Sequence, residues 1–137
     1  MCLILIGLVI VSHSSLIAQG TKELAIQMAD PDLKIMAVGG TVDGKLGTDM
    51  KKIRTAIERV NSPDGVLILT DLGSSVLTTE MVIDMMEDDD KDVSNIKIAN
   101  APLVEGAVVA AVEASCGNDL VSVKKTIEAI VIKKVPS

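Results

Sequence analysis

The sequence predicts an α/β fold, namely a small, open, doubly wound parallel sheet of about four strands with helices on both faces. Two observations lead to this fold class. Apolar runs short enough for strands alternate along the chain with segments that carry helical periodicity. Clusters of turn residues, chiefly Gly, Pro and Asp, lie between these segments. The length of 137 residues suits one domain that spans residues 1–137.

The strands are predicted from apolar runs, which are typical of parallel strands buried on both faces. The first run could also belong to a secretory signal, but no positive charge precedes it, so we interpret it as a strand. The predicted strands are residues 2–12, 34–39, 66–70 and 96–99.

The helices are predicted from capping residues and from apolar positions three or four residues apart. Ser14 or Ser15 is the expected cap of the first helix and Thr48 that of the second. Gly117 is expected to end the fourth helix, and Asn118 to cap the fifth. The predicted helices are residues 15–29, 49–61, 75–86, 103–115 and 119–132.

Three of these helices show an apolar face. In the first, we expect Ile17, Leu24 and Met28 to face inward. In the second and third, the residues that share one face are Met50, Ile53, Ile57 and Val60, and Leu77, Met81 and Met85. The acidic residues 87–92 after the third helix are interpreted as a solvated loop rather than as a metal site.

Composition excludes several classes of function. The formal net charge of −6 opposes nucleic-acid binding, and the absence of Phe, Tyr and Trp removes stacking platforms. No apolar stretch approaches the roughly 20 residues that span a bilayer. Cys2 and Cys116 are far apart and are interpreted as small buried side chains, which suits a reducing cytoplasm.

Chemically competent residues follow the predicted strands at their carboxyl ends, where a doubly wound sheet holds its site. His13 and its neighbours Ser12 and Ser14 follow the first strand. The groups that follow the other strands are Gly39 and Gly40, then Asp71, Gly73, Ser74 and Ser75, and finally Asn100. His13 is the only histidine, which excludes a site with two imidazoles, and no Gly-x-Ser-x-Gly motif supports a hydrolase.

This combination favours a phosphohistidine. One nitrogen of His13 would attack phosphorus, and Asp71 would hold the other nitrogen and fix the tautomer. A helix that begins beside His13 favours an anion. We expect the phosphoryl oxygens to be bound by Ser12, Ser14, Gly40, Gly73, Ser74 and Ser75. The prediction includes no metal and no resident cofactor.

Five sequence blocks, in order, resemble a known family. They are residues 9–14 (VIVSHS), 39–40 (GG), 46–48 (LGT), 66–74 (VLILTDLGS) and 101–107 (APLVEGA). Together they resemble the phosphotransfer subunit of phosphoenolpyruvate-dependent dihydroxyacetone kinase, which belongs to the mannose-type enzyme IIA superfamily. The resemblance covers nearly the whole chain.

The resemblance implies a cytoplasmic homodimer whose histidine, His13 here, accepts phosphate from the phosphocarrier protein HPr. It implies that the phosphate then passes to ADP on a nucleotide-binding kinase subunit, and that dihydroxyacetone is bound by a third subunit. Since 137 residues hold no further phosphotransfer domains, we expect separate HPr and enzyme I proteins.

Three alternatives stay open at this point. Enzyme IIA of a mannose-type sugar transporter would share the fold and the histidine, although a Thr-His-Gly-like block is expected there instead of residues 12–14. A receiver-like signalling domain would be phosphorylated on Asp71, but it needs an acidic pair after the first strand, where this chain has His13. A flavodoxin-like binding domain without catalysis is the third alternative.

Overall fold

The computed structural model describes residues 4–136. Its strands are β1 (Gly7–Ser12), β2 (Ile35–Gly39), β3 (Val66–Thr70) and β4 (Ile96–Ile98). Its helices are α1 (Ser15–Ile26), α2 (Met50–Val60), α3 (Gly73–Asp88), α4 (Leu103–Ser115) and α5 (Leu120–Glu128). Strands and helices alternate as the sequence predicts.

The strands form one parallel sheet in the order β2-β1-β3-β4. Helices α1, α4 and α5 cover one face, and α2 and α3 cover the other. The two central strands are buried along their whole length, which explains their uninterrupted apolar sequences. The predicted α/β class with a doubly wound parallel sheet is therefore confirmed.

The topology reverses direction between β1 and β3. The chain runs from β1 to β2 on one side, and then crosses to β3 on the other side of β1. In such sheets a crevice opens at the carboxyl ends of the two strands where the order reverses. His13 directly follows β1 and Asp71 directly follows β3, so both residues lie at this crevice.

The inward face predicted for α1 is wrong. Ile17, Leu24 and Met28 are 51%, 49% and 57% exposed, and the buried residues of α1 are small: Ala18, Thr21 and Ala25. The reason lies in α4, which packs against α1 and presents an alanine-rich face to the core. Two helices that meet through small residues approach closely, which leaves the larger side chains of α1 outside.

The faces of α2 and α3 differ in their burial. Ile53, Ile57 and Val60 of α2 are buried and Met50 packs against them, which confirms the predicted face. In α3, Leu77, Met81 and Met85 share one face, since they are four residues apart, but they are 63%, 54% and 46% exposed. The residues of α3 that are buried are Ser75, Thr79, Val82 and Met86.

Two predicted helix caps are wrong by one residue. Asp49, not Thr48, caps α2, and its carboxylate accepts hydrogen bonds from the N–H groups of the next turn. Asp119, not Asn118, caps α5, and the Asn118 amide donates to Glu113 instead. A carboxylate accepts more strongly than a neutral side chain and also suits the positive end of the helix dipole.

Element ends and the cysteines account for the other differences. The first strand begins at Gly7, and the predicted strand positions 2 and 3, with Cys2, lie outside the described residues. Cys116 is exposed at the end of α4, so its predicted burial is wrong. α5 ends at Glu128 rather than at residue 132, where the β-branched run Ile130–Ile132 is unfavourable for a helix. Gly117, at φ +84°, ends α4 as predicted.

Between residues 4 and 136, no helix combines the length and the apolar character needed to cross a membrane.

Candidate functional site

The site is built around a contact between His13 and Asp71. Nδ1 of His13 lies 3.0 Å from Oδ1 of Asp71. An ionised carboxylate can only accept a hydrogen bond, so Nδ1 carries the proton and Nε2 carries the lone pair. The side chains are 25% and 14% exposed, respectively. Asp71 therefore fixes the imidazole in the tautomer that leaves Nε2 free to act as a nucleophile.

Both oxygens of Asp71 accept further hydrogen bonds. Oδ2 accepts from the Ser12 hydroxyl at 2.8 Å and from the His13 backbone N–H at 3.0 Å. Besides the imidazole, Oδ1 accepts from the Ser75 hydroxyl and from the Leu72 backbone N–H, each at 2.7 Å. The carboxylate is thus held in one orientation by groups from both strand ends.

These contacts control the ionisation of Asp71. Burial alone would raise the pKa of its carboxyl group, since it penalises the charge. The hydrogen bonds from the Ser75 hydroxyl, from the His13 N–H and then from Ser12 and Leu72 outweigh burial and hold this pKa well below its usual range. Asp71 is therefore an anion at neutral pH, placed to stabilise positive charge on the imidazole.

Ser12 and Ser75 lie behind this pair and are fully buried. The Ser12 hydroxyl donates to Asp71 and accepts from the N–H of Ser14 at 3.1 Å. The Ser75 hydroxyl donates to Asp71 and lies 3.1 Å from Nδ1 of His13. Both hydroxyl protons are already engaged, so these serines organise the carboxylate from the side opposite to solvent.

Ser74 occupies the other side of the imidazole. Its exposed hydroxyl lies 2.5 Å from Nε2 of His13. Ser74 is the second residue of α3, whose N-cap, Leu72, makes no side-chain capping bond. The first N–H groups of α3, from Gly73 and Ser74, have no partner within the helix, so they and the helix dipole favour an anion beside Nε2.

Ser14 and the glycines shape the rim of the site. Ser14 caps α1 by accepting from the N–H of Ile17 at 3.3 Å. A Cβ on Gly39 would lie 2.5 Å from the Ser14 carbonyl oxygen, so only glycine permits this close approach. Gly40 has φ +77° and begins the loop after β2. The contact that we predicted between Gly40 and a phosphoryl group stays a prediction.

Two contributors were not predicted from the sequence. The N–H of Gly47 donates to the His13 carbonyl oxygen at 2.8 Å, which ties the loop after β2 to the site. The N–H of Leu72 supports Asp71, as described above. Backbone donors of this kind leave no side-chain signal, although the left-handed φ of +142° at Gly47 explains why glycine stands there.

The end of β4 borders the site without contacting His13. Asn100 lines a cleft of about 410 Å³ together with Asp71 and Gly73, so the predicted convergence of the strand ends extends to β4. Within residues 4–136, no group of three or more His, Cys, Asp or Glu side chains is placed to hold a metal ion. The chemistry available here is thus that of one imidazole, one carboxylate and an anion-binding helix end.

The sequence profile of one family, EIIA-man, described as PTS system fructose IIA component, matches residues 7–124. The chain belongs to this family. The match includes both turns that carry His13 and Asp71, and it confirms the mannose-type enzyme IIA resemblance.

Curated relatives make the assignment narrower. The chain is 36% identical over 128 residues to the phosphotransferase subunit DhaM of the PTS-dependent dihydroxyacetone kinase from Lactococcus lactis, which covers 93% of this chain and 98% of that protein. It is 38% identical over 119 residues to the phosphoryl donor subunit DhaM of the PEP-dependent dihydroxyacetone kinase from Pantoea ananatis. That match covers 85% of this chain but 25% of the relative, so the chain spans about a quarter of that longer protein. The chain is thus a member of the DhaM family.

Solved structures agree with the fold. A crystal structure described as a protein of unknown function has a TM-score of 0.81 and 37% identity, and the match covers 95% of this chain and 98% of the other. The mannose/sorbose specific IIA subunit of a phosphotransferase system from Enterococcus faecalis has a TM-score of 0.51 at 16% identity, with 96% and 97% covered. The latter shows the fold alone.

Proposed function

We propose that this chain is the phosphotransfer subunit of a phosphoenolpyruvate-dependent dihydroxyacetone kinase and carries the phosphoryl group on Nε2 of His13. The observation that carries this proposal is the division of labour within the imidazole. Nδ1 is engaged by Asp71 at 3.0 Å, while Nε2 faces an exposed hydroxyl and a helix N-terminus. The names of the relatives support the substrate class.

In the loading step, the lone pair of Nε2 attacks the phosphorus of a phosphohistidine on HPr. The new P–N bond forms as the bond to the donor nitrogen breaks. The His13 ring then carries positive charge, which the Asp71 carboxylate stabilises through the proton on Nδ1. In the second step, a β-phosphate oxygen of ADP attacks the phosphorus, the P–Nε2 bond breaks and the lone pair returns to Nε2. Neither step transfers a proton.

The proposed phosphoryl contacts come from α3. Ser74 lies beside Nε2 and can rotate to donate its hydroxyl proton to a phosphoryl oxygen. The N–H groups of Gly73 and Ser74 add two donors at the positive end of the helix. Ser14 and Gly40 are further proposed contacts from the rim.

We propose a different role for Ser12 and Ser75, which the sequence pattern places among the phosphate-binding residues. Their hydroxyls are buried and donate to Asp71. Each would have to give up a hydrogen bond to the carboxylate in order to reach a phosphoryl oxygen. They are therefore positioning residues, which act through the orientation and the charge of Asp71.

The proposed partners follow from the same scheme. HPr delivers the phosphoryl group, a nucleotide-binding kinase subunit holds the ADP, and a third subunit holds dihydroxyacetone. This chain needs no cofactor of its own in that arrangement. The homodimer and the cytoplasmic location implied by the family resemblance belong to the same proposal.

Specific observations weigh against the two phosphotransfer alternatives. A transporter enzyme IIA would use the same histidine, but the curated relatives at 36–38% identity are named as kinase subunits. A receiver-like domain would phosphorylate Asp71, whose oxygens both accept hydrogen bonds from surrounding donors. Such a carboxylate is a poor nucleophile, because attack would break these bonds.

A reconstituted reaction tests the proposal. The protein is loaded from phosphoenolpyruvate with enzyme I and HPr, and the two remaining kinase subunits, ADP and dihydroxyacetone are then added. Dihydroxyacetone phosphate should form with the wild type and with Asn100→Ala, a control at a neighbouring strand end, but not with His13→Ala. Loading without product would contradict the kinase pathway, and equal loading of His13→Ala would contradict the histidine carrier.

A further inference from the structure

The edge of the sheet at β2 lies open between α1 and α2. β2 pairs with β1 on one side only. The N–H of Leu8 donates to the Lys34 carbonyl, so alternate residues from Lys34 onward turn their peptide groups towards β1. The residues between them, Ile35, Ala37 and Gly39, turn their N–H and C=O groups outward. They form an unpaired row of alternating donors and acceptors.

A trough runs along this row. Two depressions of about 380 Å³ and 350 Å³ lie side by side and share Met36 and Arg59. The second depression reaches Ser15 and Gly39, which belong to the rim of the site around His13. The trough is therefore long enough to follow the whole strand, and one end lies beside the imidazole turn.

Positive charge surrounds the trough in a protein whose formal net charge is −6. Asp30 is the one acidic residue that lines it within the described part of the chain. None of its basic residues forms an ion pair with residues 4–136. These basic residues are Lys22, Lys34, Lys51, Lys52 and Arg59.

We propose that the β2 edge binds an acidic, extended polypeptide segment of a partner protein as an additional strand. An extended peptide offers backbone groups with the two-residue repeat that the outward row requires. Acidic side chains on that peptide match the unpaired cations of the trough. This proposal does not depend on the phosphotransfer function.

Protection of the edge strand and pairing with a second copy of the chain both fit the trough less well. Lysines often protect an edge strand from aggregation, but they then stand on the strand itself. Here only Lys34 adjoins the strand, and the other four cations project from α1 and α2 beside it. A second copy of this chain would bring the same cations into its own β2 edge, so pairing of two β2 edges would place like charges together.

Peptide titration followed by ¹H–¹⁵N NMR tests the proposal. The first probe is a seven-residue peptide with blocked ends that alternates Glu and Val, and the second replaces each Val by Pro, which keeps the charge but prevents strand pairing. The first probe should shift the amide signals of Ile35, Ala37 and Gly39 and slow their hydrogen exchange. The second probe should bind at least tenfold more weakly.

Two variants separate the backbone and the charge contributions. Ala37→Pro removes one outward N–H and leaves the β1 ladder intact, which edge strands tolerate. It should weaken binding of the first probe at least tenfold, and Lys51→Glu with Arg59→Glu should do the same. If Ala37→Pro does not fold, the charge variant and hydrogen exchange in the wild type still decide.

Three results would overturn the proposal. Equal affinity for both probes would reduce the trough to a patch of positive charge. The absence of any shift along β2 would exclude strand addition. Self-association in sedimentation experiments that Ala37→Pro abolishes would assign the edge to a second copy of the chain.

Discussion

Replacement of Asp71 by Asn tests how the carboxylate serves the imidazole. The amide keeps one oxygen and replaces the other by an NH₂ group. If the oxygen stays in the Oδ1 position, the NH₂ group faces the Ser12 hydroxyl and the His13 N–H, which are donors. If the amide turns over, the NH₂ group faces Nδ1 and forces the imidazole proton onto Nε2, where it blocks attack.

The expected size of the effect follows from the contact that is lost. A hydrogen bond to a charged group contributes about 1.5–3 kcal/mol. In either amide orientation this contribution is missing from the transition state, where the ring gains positive charge. Since about 1.4 kcal/mol corresponds to tenfold in rate, loading from phospho-HPr should slow by about 10- to 150-fold.

Rapid-quench kinetics of loading with ³²P-labelled HPr measures this effect. Asp119→Asn is the matched control, because Asp119 caps α5 through one hydrogen bond from the Ser122 N–H at 2.9 Å and Asn caps equally well. The control should load at the wild-type rate. A rate for Asp71→Asn within threefold of the wild type, with the protein folded, would refute the assigned role of Asp71.

Four further predictions follow from the site. Ser75→Ala removes a buried donor to Asp71, so the free energy of unfolding in urea should fall by about 1 kcal/mol and loading should slow; unchanged values for both would contradict the positioning role. Ser74→Ala should leave the unfolding free energy unchanged because this side chain is exposed, yet the phosphoprotein should hydrolyse several-fold faster by ³¹P NMR, and equal lifetimes would count against a phosphoryl contact. Gly39→Ala places a Cβ 2.5 Å from the Ser14 carbonyl oxygen, so calorimetry should show a loss of about 1–3 kcal/mol, and wild-type stability would show that the turn relaxes freely. Folding lowers the pKa of Asp71, so its stabilisation is present above the unfolded value of about 3.9 and is lost as the pH falls through the lower folded value; the difference in unfolding free energy between wild type and Asp71→Asn should narrow from pH 7 to pH 3, and a constant difference would contradict the lowered pKa.

Much of the fold could be predicted because local signals agree with the tertiary structure. β3 and α4 have the predicted bounds, since turn residues precede β3 and Pro102 and Gly117 flank α4. The parallel topology then brings His13 and Asp71 to one edge of the sheet without any knowledge of side-chain positions.

The rest depends on partners far away in the sequence. The alanines of α4 decide which face of α1 is buried, and no pattern within α1 reveals them. Serine at a strand end can bind a ligand or a neighbouring carboxylate, so the burial of Ser12 and Ser75 against Asp71 required coordinates. The Gly47 N–H that contacts His13 comes from the backbone and carries no residue-type signal.

The position of the phosphoryl group on the ring tests the central claim most directly. The protein, labelled with ¹⁵N in histidine, is loaded from phosphoenolpyruvate with enzyme I and HPr, and long-range ¹H–¹⁵N and ³¹P NMR spectra then identify the phosphorylated nitrogen. Since His13 is the only histidine, the spectra are unambiguous. Phosphorus bonded to Nε2, with a proton on Nδ1, is the predicted result. Phosphorus on Nδ1, or an alkali-labile acyl phosphate on Asp71, would contradict it.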